Sequence, residues 1–370
     1  MVSQSEQTSP APRNAFRRAF GLVSRPLNRS RFFSALLEYR YHIANLIRGA
    51  KIYRQTGTSP DYAYQSLISL YCRTQGLSND FLAWLIRTRH RQVSLPNADG
   101  ILGNLTRGDL DRITNEVEQN GYYLFTHSLP LDVCEELLDF ALHTQCTPVA
   151  EVGILPAGVY QREHPLAETY RFSEAALLDN PAVQKLISDP SILSLAQSYL
   201  RVPPILDIVT MWWSTAFASE ASSEAAQLYH FDMDRIRWLK FFFYLTDVGP
   251  KTGPHCFVAK SHKRKGQPLH LLKRGYVRIP DEDIEAYYPA DDIKEITGRR
   301  GTIFVADTRG FHKGKPVAEG DRLVLQFEFC NSLFGGVYTR GDIADNCDPN
   351  LVALAKKYKR VYSKFTLTEK

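Results

Sequence analysis

From residue 205 onward the chain is made of short β-branched and aromatic runs broken by Gly, Pro and Asp, at 205–216, 238–246, 275–279, 302–306 and 322–329. Short strands at such spacing form sandwiches or barrels, because each buries one face and needs a second sheet to cover it. A mostly β core is therefore expected, and no internal repeat is visible. Within it, Trp238-Leu-Lys-Phe-Phe-Phe-Tyr-Leu-Thr246 is apolar on both faces apart from Lys240, which predicts a central strand with a buried ammonium. Such a charge must meet an anion or give up its proton, unless its stem carries it out of the strand end.

Ahead of this region the periodicity is helical. Phe33, Leu36, Leu37, Tyr41, Ala44 and Ile47 recur at three- and four-residue steps, and Phe81, Trp84, Leu85 and Ile86 close a later helix. Ser59-Pro60-Asp61 and Ser78-Asn79-Asp80 read as helix starts. The expected organisation is a polar tail over 1–13, a helical extension over 14–99, and a β domain with helices over 100–370. Residues 100–104 read as a linker. A helix at 110–119, a strand at 121–126 and helices at Leu131–His143, Pro181–Ile187 and Pro190–Leu200 then precede the β-rich part.

The net charge of +5 is concentrated at one end. Residues 1–60 hold ten Lys or Arg against Glu6 and Glu38, so the rest of the chain is slightly acidic. With no basic stripe in the body, nucleic acid is a poor candidate partner. The basic helical segment suits either a cap packed on the main domain or peripheral contact with an anionic membrane. Six cysteines without paired spacing argue against a disulfide framework or a zinc site, and point to a reducing cytoplasm. No apolar run approaches the ~20 residues of a transmembrane helix, and the polar first residues lack a secretory signal.

His230-Phe231-Asp232 is the first chemical constellation. On an extended strand the imidazole and the carboxylate point to one side. A third His would complete the 2-His-1-carboxylate face that binds Fe(II) and leaves positions open. Alone the pattern is weak, since ten His and forty acids yield about one His-x-acid by chance. Downstream, His312 lies in a Gly-flanked turn after the strand 302–306, and Arg322 opens the next strand. In an antiparallel pair these two can face one cavity. Arg322, Val324, Gln326 and Glu328 share a side, and a buried guanidinium calls for a planar anion. A surface Arg and an unliganded turn His are the plainer alternatives. Lys240 and Tyr244 share a face and could bind a carboxylate, or Lys240 could pair with a structural acid. The Trp212-Trp213 pair is either cavity wall or core.

Four stretches, in order, resemble the phytanoyl-CoA dioxygenase family of 2-oxoglutarate oxygenases. Asn120-Gly-Tyr-Tyr-Leu-Phe125 with residues 129–138 is similar to its opening strand and helix. Leu228-Tyr-His-Phe-Asp232 matches its His-x-Asp, and residues 244–263, ending in Ser261-His-Lys263, resemble its strand, turn and SHK segment. Residues 301–329 resemble the stretch with the distal His and the Arg. The resemblance implies a double-stranded β-helix (jelly roll) flanked by helices. It further implies Fe(II) on His230, Asp232 and His312, the 2-oxoglutarate C5 carboxylate on Arg322, and O2 as oxidant. Members often place a Ser two residues after the distal His as a second hydrogen bond to 2-oxoglutarate. Here that position is Gly314, and Lys240, Tyr244 and Thr302 are the candidate substitutes. Related halogenases carry Gly or Ala where this chain has Asp232, so the implied reaction is hydroxylation, desaturation or cyclisation. The implied substrate is a small organic or carrier-linked molecule, with succinate and CO2 released. Two rivals are a cupin-like metal enzyme without 2-oxoglutarate and a non-catalytic jelly-roll binding module.

Overall fold

The computed structural model describes residues 20–150, 153–217 and 226–369, with side chains described from residue 34. The tail expected over 1–13 lies outside the described residues. Three N-terminal helices, α1 (Phe20–Thr56), α2 (Asp61–Thr74) and α3 (Leu77–Arg89), come first. The segment read as a linker is a small hairpin of β1 (Asp99–Gly100) and β2 (Gly103–Asn104). Then come α4 (Arg107–Asn120), β3 (Tyr122–Ser128), α5 (Leu131–His143), β4 (Gln145–Ala150), β5 (Gly153–Ile154), β6 (Gly158–Val159) and β7 (Thr169–Arg171). Helices α6 (Glu174–Leu178), α7 (Pro181–Ile187) and α8 (Pro190–Leu200) lead into β8 (Ile205–Thr215) and β9 (Trp238–Tyr244). The last core strands are β10 (His255–Val258), β11 (Ile293–Ile296), β12 (Thr302–Ala306), β13 (His312–Gly314) and β14 (Asp321–Cys330).

Two antiparallel sheets face each other. The large one runs β3-β12-β9-β14-β8-β7-β4-β5, with β6 beside β4, and the small one runs β11-β10-β13. The small sheet is extended by single bridges, His230 to His312 and Tyr229 to Ile279. That bridge is all the pairing that the expected strand at 275–279 makes, since the turn at Gly275 and Pro280 leave it no ladder.

Alternation along the long strands decides what goes where. Leu239, Phe241 and Phe243 of β9, with Leu323, Leu325 and Phe327 of β14, pack against Leu137, Val183 and Ile192 of the helical layer. Full burial of each such ring or branched side chain stabilises by roughly 1.5–3 kcal/mol. The opposite face sends Phe242, Tyr244, Val324 and Phe304 toward Phe257 and Ile296 of the small sheet. These layers form a double-stranded β-helix. The pairs that matter for the site are Lys240 opposite Glu328 and Arg322 opposite Ser214.

The N-terminal helices are packed onto this body. Tyr71 of α2 stacks on Phe231 at 5.6 Å and donates its hydroxyl to Gln267. Helix α1 crosses α2 so closely at Gly49 that a Cβ there would lie 2.2 Å from that of Ala63. The outward face of α1 leaves Leu37, Tyr41 and Ile47 exposed beside Arg40 and Arg48. No described helix is long and apolar enough to cross a membrane.

Candidate metal and co-substrate site

His230 and His312 are cross-strand neighbours. Each backbone N–H donates to the other's carbonyl, at 3.0 and 2.9 Å, which sets the ring centroids 4.3 Å apart. Nδ1 of His230 donates to Leu228 O at 3.0 Å and Nδ1 of His312 to Gly310 O at 2.9 Å. Those bonds fix the tautomer that leaves an Nε2 lone pair free on both rings. Asp232, two residues along, has its backbone held by Thr308 O at 2.7 Å and presents its carboxylate to the same point. Its oxygens lie 3.7 Å from His230 Nε2 and 3.4 Å from His312 Nε2. One ligand atom from each of the three falls within 4.8 Å of the others, and no other such group occurs among the described residues.

The turn carrying His312 is buttressed from below. Ser261, in the SHK segment, accepts from Phe311 N at 2.8 Å and donates to Val258 O at 2.6 Å. Gly310 is required there, because a Cβ would lie 2.6 Å from the Phe257 ring and 2.8 Å from Ser261 Oγ. Arg309 folds back on the fully buried Asp307, which also accepts from Tyr199.

Electrostatics favour the ligating protonation states. Burial, together with the neighbouring His312, pushes His230 down to about 3, and burial lowers His312 as well. Burial alone would raise Asp232, but Lys240 and the two imidazoles outweigh it and hold the carboxyl below its ordinary range. Lys240 donates to Asp232 Oδ2 at 2.6 Å and lies 3.3 Å from Glu328. The contact with Glu328 is charge proximity without hydrogen-bond geometry, since both Glu328 oxygens lack a hydrogen-bond partner. Lys240 is thus occupied by acids, one of them a would-be metal ligand, and orients that carboxylate.

The three ligands open into a cavity of about 420 Å³, at whose far side Arg322 is buried. Arg322 donates from Nη2 to Ser214 Oγ at 3.0 Å, while its Nε has no hydrogen-bond partner. No carboxylate pairs with it among the described residues, and burial pulls its pKa down. An uncompensated buried guanidinium beside a three-ligand cluster fits an absent dicarboxylate. Trp212, Phe242, Gln326, Tyr276 and Arg278 complete much of the wall, whereas Trp213 turns into the core. A cleft of similar size, about 390 Å³, lies elsewhere between Glu118, Arg237 and Arg309, and no three metal-ligating side chains converge in it among the described residues.

The remaining sequence candidates are placed as follows. Tyr244 donates its hydroxyl to Ile296 O at 2.8 Å and accepts from His255 N at 3.1 Å. Thr302 donates to Arg299 O at 2.7 Å and does not line the cavity. Two residues not singled out in the sequence do line it or touch its Arg. Ser214 is visible only once β8 is registered against β14. His255 lies buried on β10, with no hydrogen-bond partner at Nε2.

The chain matches the family model described as Phytanoyl-CoA dioxygenase (PhyH) over residues 117–322. No curated protein is significantly similar to it in sequence. Similar solved structures include the epimerase SnoN in complex with Fe3+, alpha ketoglutarate and nogalamycin RO, at 16% identity, TM-score 0.43, covering 60% of this chain and 84% of that one. HygX from Streptomyces hygroscopicus, with nickel and 2-oxoglutarate bound, matches at 16% identity and TM-score 0.43, covering 64% and 91%. EctD from S. alaskensis, with 2-oxoglutarate and 5-hydroxyectoine, matches at 19% and 0.42, covering 65% and 85%. The family model spans more than half of the sequence and contains all four of His230, Asp232, His312 and Arg322, so this chain belongs to the phytanoyl-CoA dioxygenase family of Fe(II)/2-oxoglutarate-dependent oxygenases.

Proposed function

We propose that this protein hydroxylates an unactivated C–H bond of a small organic or carrier-linked substrate, in an oxygenase domain spanning residues 100–370. His230, Asp232 and His312 hold Fe(II), and Arg322 holds the C5 carboxylate of 2-oxoglutarate. The observation that carries this reading is the convergence of three ligand atoms within 4.8 Å in a cavity that also contains a buried Arg without a carboxylate. When bound, iron and 2-oxoglutarate together activate O2, with succinate and CO2 as the by-products.

The chain's own residues supply geometry. The two Nδ1–carbonyl bonds lock the imidazoles. Lys240 fixes one oxygen of Asp232 and offsets its charge, leaving the other oxygen for metal. Ile208, Trp212 and Phe242 give the cavity apolar walls that limit water. An Asp at 232, where Gly or Ala would free a coordination position, supports hydroxylation over halogenation.

The test is an anaerobic titration with Fe(II) and then 2-oxoglutarate, following the visible metal-to-ligand charge-transfer band. Wild-type protein should develop the band, and His230→Ala and His312→Ala should not. Iron uptake without a band would favour a metal enzyme that does not use 2-oxoglutarate, and no uptake would favour a binding module.

A further inference from the structure

We propose that His255 supplies the second hydrogen bond to the C5 carboxylate of 2-oxoglutarate, beside Arg322. This rests on the co-substrate reading above. The three candidates offered by the sequence are already engaged: Lys240 by Asp232, Tyr244 by Ile296 O and His255 N, and Thr302 by Arg299 O.

His255 is held in place and unsatisfied. Its ring lies 4.9 Å from that of Phe242 and stacks at 5.5 Å on His312. It lines the cavity, is 8% exposed, and has no hydrogen-bond partner at Nε2. Among the described residues, the other cavity-lining group with a buried, unpartnered nitrogen is Arg322, at Nε. Buried polar groups in folded proteins are nearly always paired. Two orphaned nitrogens in one cavity are what a missing acceptor would leave, and a carboxylate can accept from both.

The sheet register puts the imidazole where a donor is lacking. His255 is the direct cross-strand partner of Gly314. A Cβ built on Gly314 would lie 3.3 Å from Arg322 Nη2, so a hydroxyl carried at 314 would reach the edge of the guanidinium. Gly314 carries none, and its cross-strand partner His255 projects its ring to the same side of the small sheet.

The experiment uses the full chain, anaerobically, with two probes. One is 2-oxoglutarate; the other is 2-oxopentanoate, which has the same chelating end and no C5 carboxylate. If wild-type protein binds Fe(II) but shows no band with 2-oxoglutarate, the co-substrate reading fails and this proposal falls with it. Given the band, His255→Phe, which keeps a ring against Phe242, should raise the Kd for 2-oxoglutarate by about tenfold or more. Its Kd for 2-oxopentanoate and for Fe(II) should stay within about twofold, because neither needs the Nε2 donor. Adding Gly314→Ser to His255→Phe should recover a substantial part of the lost affinity. His255→Leu carries the same test if the Phe variant does not fold. The proposal is overturned if 2-oxoglutarate binds either variant as it binds wild type. It is equally overturned if 2-oxopentanoate or Fe(II) weakens in proportion, since His255 would then only be packing against His312.

Discussion

The two sheets contribute to the site in opposite ways. The large sheet presents Ser214, Lys240 and Arg322 from strands of seven to eleven residues that are paired on both sides. The small sheet presents both imidazoles from a three-residue strand and a single bridge. A long ladder fixes a side chain through its backbone alone. The short elements need added props: Nδ1–carbonyl bonds on each ligand, Ser261 beneath the turn, and the Asp307–Arg309 pair behind it. In the proposed site the placing of Arg322 is therefore a property of the ladder, and the placing of the two imidazoles a property of side-chain support.

Loss of Arg322 should leave the imidazoles in place, and loss of the support beneath them should leave Arg322 in place. Arg322→Gln, on the large sheet, should weaken 2-oxoglutarate by about 100-fold, the ~3 kcal/mol of a lost buried charge pair. Fe(II) affinity should hardly change, and separate metal and 2-oxoglutarate titrations read both numbers. A parallel loss of metal would mean that the two sides are not independent.

Acid should loosen the small-sheet side. Burial pushes His262, next to Ser261, down to about 4. Its ordinary value is higher, so as pH falls the unfolded chain takes up the proton first. The stabilisation is complete above about pH 7 and is lost as pH drops toward 4. Between pH 7.5 and 5 the loss from His262 is about 2 kcal/mol. Urea unfolding of metal-free wild type and His262→Asn at both pH values should show a smaller pH dependence in the variant; equal slopes would remove His262 as the cause.

The smallest effect is expected from Ser261→Ala. Losing the acceptor for Phe311 N should cost about 1–2 kcal/mol of stability and lower Fe(II) affinity by up to about tenfold. At saturating metal the Kd for 2-oxoglutarate should be unchanged. Unaltered Fe(II) affinity in this variant would mean that the turn needs no prop.

The same contrast explains what could be read from the sequence. Long apolar strands announce themselves, so β8, β9, β12 and β14 were legible, and with them the odd charge of Lys240 and the side shared by Arg322 and Gln326. Strands β10, β11 and β13 have three or four residues, too few for a period to show. Residues 275–279 have strand-like composition but make one bridge. His312 was legible from its Gly-flanked turn after the strand 302–306, and the family resemblance implied its role. Partners across a ladder were out of reach: Ser214 beside Arg322, Glu328 beside Lys240 and His255 opposite Gly314 are facts of register, which local composition does not encode.

The reciprocal backbone bridge between His230 and His312 also bears on how the protein reaches its native state. Its two halves are 82 positions apart, so the three proposed ligands meet only after the intervening strands have closed a long loop. An unfolded chain offers no comparable ligand set. Iron is thus a thermodynamic brace on the final closure, adding stability in proportion to the logarithm of its free concentration above Kd. Scarcity of the metal would then lower the amount of folded protein as well as the rate of each molecule.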